Sequence, residues 1–139
     1  MSVRVGILST AHINRLVIAP ARESDKVEIT AVASRDPARA AAYAREWDIS
    51  HAYGSYEELL ADPEIDAVYN PLPNSMHVEW STRALEAGKH VLCEKPLSRH
   101  PEDVERVFDV AEREGLVLAE AFMYRHNPQT ARLVELVRG

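Results

Sequence analysis

A chain of 139 residues has the length of one domain, and 46% hydrophobic and 27% charged residues are typical of a folded globular protein rather than a disordered tail. The formal net charge of -6 argues against a nucleic-acid partner, because a surface that binds the phosphate backbone is normally basic. No apolar run reaches the length of a membrane span, and the single cysteine, Cys93, cannot form an internal disulfide, so we expect a reducing, cytoplasmic setting without a membrane partner.

Six apolar segments of strand length alternate with helical patterns along the chain. In order, the predicted strands are residues 3–8, 27–33, 52–53, 67–70, 90–93 and 116–121. The helices between and after them are predicted to begin near His12, Pro37, Ser55, Asn74, Pro101 and Pro128. Strands that alternate with helices through right-handed crossovers form an α/β fold with a doubly wound parallel sheet, the Rossmann fold.

Two helices have patterns that predict their caps and buried faces. Asn74 is predicted to cap the fourth helix, and the buried stripe of that helix is predicted to be His77, Trp80, Ser81, Ala84 and Leu85. The fifth helix has Pro101 at its first position and Gly115 at its end. Its predicted core face consists of Val104, Val107, Phe108 and Ala111.

The turn after the first strand is where a doubly wound sheet binds a pyrophosphate on backbone N–H groups. Ser9, Ala11 and Asn14 stand where the G-x-G-x-x-G fingerprint has its glycines. Ser and Ala are small enough for close backbone approach, Asn tolerates unusual dihedral angles, and Ser9 and Thr10 can add hydroxyl donors. The turn alone leaves two interpretations open, a phosphate site and an ordinary capped helix.

The end of the second strand indicates which nucleotide fits. An NAD site usually has an Asp or Glu there for the ribose 2′-hydroxyl, whereas a 2′-phosphate is repelled by an acid and favours arginine. This chain has Ser34 and Arg35, with Arg39 one helical turn further on. We therefore predict NADP(H) as the preferred cofactor, with NAD(H) as the second choice. The structural alternative is that both arginines are solvated residues at a helix start.

The stretch from Gly88 to Pro96, GKHVLCEKP, predicts a buried strand that ends by projecting an acid, Glu94, and a base, Lys95. The alternative is a solvated ion pair at a strand end. Cys93 is predicted to be a core residue rather than a nucleophile or a metal ligand, and no metal site is predicted. His77 lies in the first turn of its helix, where a histidine is more often a packed residue than a catalyst.

Three longer motifs carry a resemblance to a known family: YNPLPNSMH at 69–77, AGKHVLCEKP at 87–96 and EAFMYR at 120–125. With them, the chain resembles the glucose-fructose oxidoreductase, inositol dehydrogenase and MocA family over essentially its whole length. It is most similar to the branch of dihydrodiol dehydrogenases and sugar reductases. The resemblance implies hydride exchange between a nicotinamide and a carbinol of a sugar, polyol or dihydrodiol substrate.

The resemblance also implies roles for individual residues. Lys95 would lie beside the nicotinamide, orient the substrate and assist proton transfer as the one catalytic residue of this chain. Together, the residue patterns and the resemblance give the predicted cofactor site: Ser9, Thr10, Ala11, His12, Ile13, Ser34, Arg35, Arg39, Pro71, Leu72, Pro73, Asn74, His77, Glu94, Lys95, Pro96, Tyr124 and Arg125.

Members of the family have a second α/β domain that supplies much of the substrate pocket, usually another acid/base residue, and the oligomer contacts. We expect residues 1–139 to form only the dinucleotide-binding domain, with a final helix from about residue 124 leading toward the second domain, and turnover by this chain alone is not expected. The apolar surface left around Phe122, Met123 and the last helix predicts self-association into homo-oligomers.

Two other functions remain open from the sequence. One is a non-catalytic NADP-binding or sensor module without a catalytic domain. The other is a Rossmann-like methyltransferase, against which Ser34 argues, since such folds commonly have an acid at that position to hold the ribose hydroxyls.

Overall fold

A six-stranded parallel sheet forms the centre of the computed structural model, which describes residues 2–139. Its strands are β1 (Val3–Leu8), β2 (Val27–Ala33), β3 (His51–Tyr53), β4 (Ala67–Asn70), β5 (His90–Cys93) and β6 (Leu118–Glu120). Their order is β3-β2-β1-β4-β5-β6, and every adjacent pair is parallel. The strand order reverses between β1 and β4, the point at which open α/β sheets bind ligands. The predicted doubly wound fold is confirmed.

Within residues 2–139, the α-helices are α1 (Arg15–Ala21), α2 (Pro37–Glu46), α3 (Tyr56–Ala61), α4 (His77–Glu86), α5 (Pro101–Glu114) and α6 (Pro128–Arg138). Short 3₁₀ turns precede three of them, at His12–Asn14, Asn74–Met76 and Met123–His126. Proline opens α2, α5 and α6, a position where its missing N–H leaves no helical hydrogen bond unmade. None of the helices in this part of the chain has the length and apolar character to cross a membrane.

The two faces of the sheet carry separate apolar clusters, because side chains alternate along each strand. Ile7, Val32 and Tyr69 are buried on one face with residues of α1 and α2. Leu8 and Val68 are buried on the other face, under α3, α4 and α5. Helices therefore cover both faces, and the ends of the strands are left as the accessible edges of the sheet.

The predicted cap of α4 is wrong. Asn74 begins a 3₁₀ turn, and no side-chain hydrogen bond caps either that turn or the helix after it. The chain first turns through residues 74–76 and becomes α-helical only at His77, so Asn74 lies too early to act as the N-cap of α4. The predicted buried stripe of α4 is confirmed in full.

The predicted core face of α5 is wrong at one position. Phe108 is 43% exposed, whereas Val107, Val110 and Ala111 are buried. The i, i+3, i+4 spacing alone admits both Phe108, four residues after Val104, and Val110, three residues after Val107, and the packing of α5 on the sheet buries Val110 and leaves Phe108 at the margin of the stripe.

The last helix lies outside the core. No residue of α6 is buried, and Leu133, Leu136 and Val137 are 61%, 64% and 78% exposed. Met123, on the 3₁₀ turn before α6, is 65% exposed. The apolar surface predicted for this end of the chain is present.

Asp66, the residue directly before β4, is hydrogen-bonded through its side chain to Arg4 on the neighbouring strand β1. Arg4 donates to its carboxylate from the backbone N–H at 2.9 Å, from Nε at 3.0 Å and from Nη2 at 2.9 Å. These hydrogen bonds lower the pKa of Asp66 to about 2. Because this pKa lies below the value of about 3.9 for an unfolded aspartate, the interaction contributes stability above pH 4 that is lost as the pH falls through about 2.

We predict that Asp66→Asn lowers the melting temperature at pH 7 and that the gap to the wild type closes as the pH falls from about 5 to about 2. Thermal unfolding followed by circular dichroism at several pH values measures this gap. Asp109→Asn, a change of an exposed aspartate on α5, is the matched control and should show no gap at any pH. A gap for Asp66→Asn that is independent of pH would contradict the prediction.

Candidate cofactor site

The carboxyl ends of the strands meet at one edge of the sheet, where the loops after β1, β2 and β4 enclose a groove of about 350 Å³. Its lining contains hydroxyl, guanidinium and proline side chains and no carboxylate. The lining residues are Ser9, Thr10, Ala11, Ser34, Arg35, Arg39, Tyr56, Pro71, Leu72 and Pro73. All but Tyr56 belong to the predicted site. The groove presents positive charge and hydrogen-bond donors in a chain whose net charge is -6.

The turn after β1 adopts a backbone conformation that glycine normally takes. Ser9, at the first glycine position of the fingerprint, has a φ of 142°, which is uncommon for a residue with a Cβ atom. The N–H of Ala11 donates to Ser9 Oγ at 3.2 Å, and the 3₁₀ turn His12–Asn14 follows directly. Ser9 thus has the dihedral angle of a glycine, although residues 9–14 contain no glycine.

A serine and two arginines follow β2. Ser34 is 8% exposed, and its Oγ accepts a hydrogen bond from the N–H of Asp36 at 3.2 Å. Asp36 caps α2, since its Oδ1 accepts from the N–H groups of Ala38 and Arg39 at 2.9 and 3.3 Å. Arg35 and Arg39 are exposed, and neither forms an ion pair with a carboxylate of residues 2–139. The carboxylate of Asp36 therefore caps α2, and the guanidinium groups of Arg35 and Arg39 are available to bind an external anion.

A buried polar network shapes the loop after β4. Asn70 is fully buried, and its Nδ2 donates to the carbonyl oxygen of His77 at 3.2 Å and to Ser81 Oγ at 3.1 Å. Its Oδ1 accepts from the N–H of Leu72 at 3.3 Å. All the hydrogen-bonding atoms of this amide side chain are therefore engaged in holding the loop against α4.

His77 joins the loop after β4 to the loop after β5. Its ring is 1% exposed, with Nε2 at 2.7 Å from the carbonyl oxygen of Leu72 and Nδ1 at 2.8 Å from that of Pro96. Whichever nitrogen carries the proton, it donates to one of these carbonyl oxygens. The structure places this ring inside the protein, where it positions two loops, instead of in the predicted contact with the cofactor.

Glu94 and Lys95 leave the sheet with different surroundings. The Tyr69 hydroxyl donates to Glu94 Oε1 at 2.8 Å, and burial together with this carboxylate raises the pKa of Tyr69. Lys95 is exposed, and in the described part of the chain its ammonium group has no hydrogen-bond partner and no ion pair with Glu94. The Lys95–Pro96 peptide bond is cis. The acid is held by the neighbouring strand, and the base is free at the surface.

The other predicted residues lie around the groove to different extents. His12 lines an adjoining groove of about 650 Å³ that shares Thr10 and Arg39 with the first. Asn74 and Pro96 line a third cavity, of about 400 Å³, near the start of α4 and α5. The predicted residues named so far are therefore distributed over three cavities, two of which share lining residues.

Six predicted residues line none of these three cavities. They are His77, Glu94 and Lys95, described above, and Ile13, Tyr124 and Arg125, which are exposed. Tyr124 and Arg125 lie on the 3₁₀ turn after β6. Directly after β6, the N–H of Ala121 donates to the carbonyl oxygen of Cys93 on β5 at 2.8 Å.

Sequence reasoning missed the residues that support the loops, namely Tyr69, Asn70 and Glu120. Glu120 Oε1 accepts from the N–H of Leu97 at 2.8 Å and so holds the loop after β5 against β6. One signal was available for Asn70. It is a polar residue at the end of a buried strand, directly before a P-L-P loop in which the prolines offer no N–H group.

A larger open cavity, of about 770 Å³, lies at the opposite edge of the sheet. Four carboxylates line it, those of Asp25, Glu28, Glu46 and Asp48. Its one guanidinium, that of Arg22, already donates to the carbonyl oxygen of Trp47 at 2.6 Å. This cavity does not suit a phosphate ligand, so charge rather than volume selects the groove at the carboxyl edge.

A family model described as "Oxidoreductase family, NAD-binding Rossmann fold" matches residues 3–122. The chain belongs to this family. It is the glucose-fructose oxidoreductase, inositol dehydrogenase and MocA family, so the resemblance is confirmed. The match to this oxidoreductase family includes the groove and the GKHVLCEKP stretch, and it ends just before Tyr124 and Arg125.

Individual members of the oxidoreductase family are similar over nearly the whole chain. D-xylose 1-dehydrogenase (NADP(+)) 2 of Haloferax volcanii is 52% identical over 132 residues, which cover 95% of this chain and 41% of that protein. Trans-1,2-dihydrobenzene-1,2-diol dehydrogenase of Danio rerio is 35% identical over 99% of this chain and 42% of its own length.

A solved structure gives the same coverage. The crystal structure of a 3-ketoreductase from Actinomadura kijaniata in complex with NADP and TDP-benzene has a TM-score of 0.92 and 39% identity, over 99% of this chain and 42% of that one. This chain thus spans 41% to 42% of the length of these three relatives.

Proposed function

We propose that residues 1–139 form the NADP(H)-binding domain of an oxidoreductase that transfers a hydride between the nicotinamide and a carbinol or carbonyl carbon of a sugar, polyol or dihydrodiol. The observation that carries the cofactor preference is the end of β2. Ser34 stands there in place of an acid, and Arg35 and Arg39 have no ion-pair partner among residues 2–139. The Haloferax volcanii relative is named as NADP-dependent and the Actinomadura kijaniata structure contains NADP, which supports the same preference.

The residues of the groove fit a dinucleotide with a 2′-phosphate. The lining offers hydroxyl and guanidinium donors and no carboxylate that would repel a phosphate. The turn from Ser9 to Ala11, with the start of the 3₁₀ turn after it, would hold the pyrophosphate through backbone N–H groups. Arg35 and Arg39 would hold the 2′-phosphate through charge-assisted hydrogen bonds. The loop Pro71–Pro73 would form an apolar wall of the site.

Lys95 is the residue of this chain that we propose to take part in the reaction. When bound, the nicotinamide supplies or accepts the hydride. The free ammonium group of Lys95 would donate a hydrogen bond to the substrate oxygen and stabilise negative charge that develops there, keeping its own proton at Nζ until the oxygen takes it. Because the Glu94 carboxylate accepts hydrogen bonds from the Tyr69 hydroxyl and from the backbone N–H of Lys95, and forms no ion pair with the Lys95 ammonium group, the charge of that group is not neutralised by its neighbour.

The substrate class rests on the relatives, since D-xylose and a dihydrodiol are the substrates named for two of them. Three further predictions belong to the proposal. The net charge of -6 favours a partner other than nucleic acid, and a single buried cysteine favours a reducing, cytoplasmic compartment. The exposed apolar residues of α6 favour self-association into homo-oligomers.

The proposal is tested by calorimetric titration of the 139-residue chain with NADPH, NADH and S-adenosylmethionine. We expect NADPH to bind about tenfold or more tightly than NADH, because the 2′-phosphate adds charge-assisted hydrogen bonds, and we expect no binding of S-adenosylmethionine. Tighter binding of NADH would overturn the cofactor preference. Binding of S-adenosylmethionine alone would favour a methyltransferase, and binding of none of the three would remove the cofactor function from this chain.

A further inference from the structure

Ser9 has a backbone conformation that its side chain does not favour. Among residues 2–139, the residues other than glycine with a positive φ are Ser9, at 142°, and Asp48, at 46°. Asp48 has the ordinary left-handed conformation of a residue just after a helix. A φ as large as that of Ser9 lies in a region that is nearly reserved for glycine, so contacts around Ser9 must hold it there.

Asn14 supplies that contact. Its Nδ2 donates to the carbonyl oxygen of Ser9 at 2.9 Å, across the whole turn, and the residue is fully buried. The N–H of Asn14 also donates to the carbonyl oxygen of Ala11 at 3.1 Å, and the N–H of Ala11 donates to Ser9 Oγ at 3.2 Å. Three hydrogen bonds thus connect residues within the segment 9–14. The one from Asn14 Nδ2 fixes the orientation of the peptide group between Ser9 and Thr10.

The other polar atom of this side chain argues against a purely packing role for Asn14. Asn14 Oδ1 is buried and has no hydrogen-bond partner among the described residues. A buried acceptor without a donor is unfavourable, and an apolar residue of similar shape would avoid that cost. The bond from Nδ2 to the turn is the gain that the amide offers against it.

We infer that Asn14 is a positioning residue that holds the Ser9 turn in the glycine-like conformation needed for close approach of the cofactor pyrophosphate. Ser9 and Asn14 together replace the first and third glycines of the fingerprint, the serine by adopting the unusual φ and the asparagine by fixing it. This inference rests on the proposed function, because the turn is taken to bind the pyrophosphate. It predicts that the two residues act as a coupled pair.

A double-mutant cycle on NADPH affinity tests the coupling. Asn14→Ala should weaken NADPH binding about tenfold, since the turn loses the hydrogen bond that holds it. In the Ser9→Gly background the same change should cost less than about twofold, because glycine adopts a positive φ without help. Asn127→Ala, which removes a cap of α6 far along the chain, is the matched control and should leave the affinity unchanged. Equal losses for Asn14→Ala in both backgrounds, or no loss in either, would overturn the inference.

A second readout needs no cofactor and separates this inference from the proposed function. The coupling constant between the amide proton and Hα of Ser9, measured by NMR in the free protein, reports its φ. It should keep its wild-type value in Asn127→Ala and change in Asn14→Ala as Ser9 relaxes toward a negative φ. If the wild type fails to bind NADPH, the proposed function fails while this measurement still decides whether Asn14 holds the turn. An unchanged coupling constant in Asn14→Ala would refute the positioning role even where NADPH binds.

Discussion

Replacing Arg35 by alanine is expected to weaken NADPH binding by about tenfold or more while the affinity for NADH hardly changes. A hydrogen bond between a guanidinium and a phosphate contributes about 1.5–3 kcal/mol, and NADH lacks the 2′-phosphate that would receive it. Arg35 has no ion pair in the described residues that the substitution would break, so the fold should be unaffected. Calorimetric titrations of the variant and the wild type with both nucleotides give the ratio of their dissociation constants for NADPH and for NADH.

Arg113→Ala is the matched control for this change. Arg113 lies in the last turn of α5, where it pairs with Glu114 and is remote in sequence from every groove residue. It should leave both affinities as in the wild type. Equal weakening of NADPH and NADH by Arg35→Ala would show that Arg35 contacts a part that the two nucleotides share. No effect on either would mean that the arginine is a solvated residue at the start of α2.

Asn70→Ala is expected to produce the largest loss of stability among the changes considered. Asn70 makes three buried hydrogen bonds, to the N–H of Leu72, the carbonyl oxygen of His77 and Ser81 Oγ. Alanine cannot replace any of them and leaves these groups unsatisfied in the interior, so the free energy of unfolding should fall by about 3 kcal/mol. In a domain of this size that corresponds to a drop in melting temperature of roughly 10 °C.

The comparison with Asn74→Ala separates the network from a general effect of removing an asparagine. Asn74 is exposed and caps neither the 3₁₀ turn nor α4, so its replacement should change the free energy of unfolding by less than about 0.5 kcal/mol. Urea unfolding of both variants gives the values. Similar losses in the free energy of unfolding for the two variants would contradict the role assigned to Asn70. A large loss for Asn74→Ala would indicate that Asn74 caps a helix.

The alternation of strands and helices was predictable because it depends on local patterns. The bounds of β1, β2 and β5 follow from short apolar runs between clear breakers. Proline at the start of α5 and Gly115 at its end mark that helix equally well. The predictions that were wrong concerned features that depend on how helices and strands pack against one another. Phe108 has the composition of a core residue, and only the packing angle of α5 on the sheet turns it outward.

The residues of the candidate site likewise include some that were predictable from the sequence and some that were not. Residues that would face a ligand, such as Arg35 and Lys95, were predictable because their types and their positions at strand ends carry the chemistry. The supporting residues were not, because their partners are distant in the chain. Tyr69 reaches Glu94, and Glu120 reaches the N–H of Leu97, across contacts that no local pattern specifies. His77 was assigned to the ligand because its two carbonyl partners could not be foreseen.

The most direct test of the account is to map NADPH binding on the amide signals of the ¹⁵N-labelled chain by NMR. We expect the shifts to concentrate at residues 9–13, 34–39 and 94–97 and at Leu72, in the loops at the carboxyl edge of the sheet. Residues 22–28 and 46–50, around the acidic cavity at the opposite edge, should remain unchanged. Shifts centred on that acidic cavity, or NADPH binding that leaves 34–39 undisturbed, would contradict the claim that these loops form an NADP(H) site.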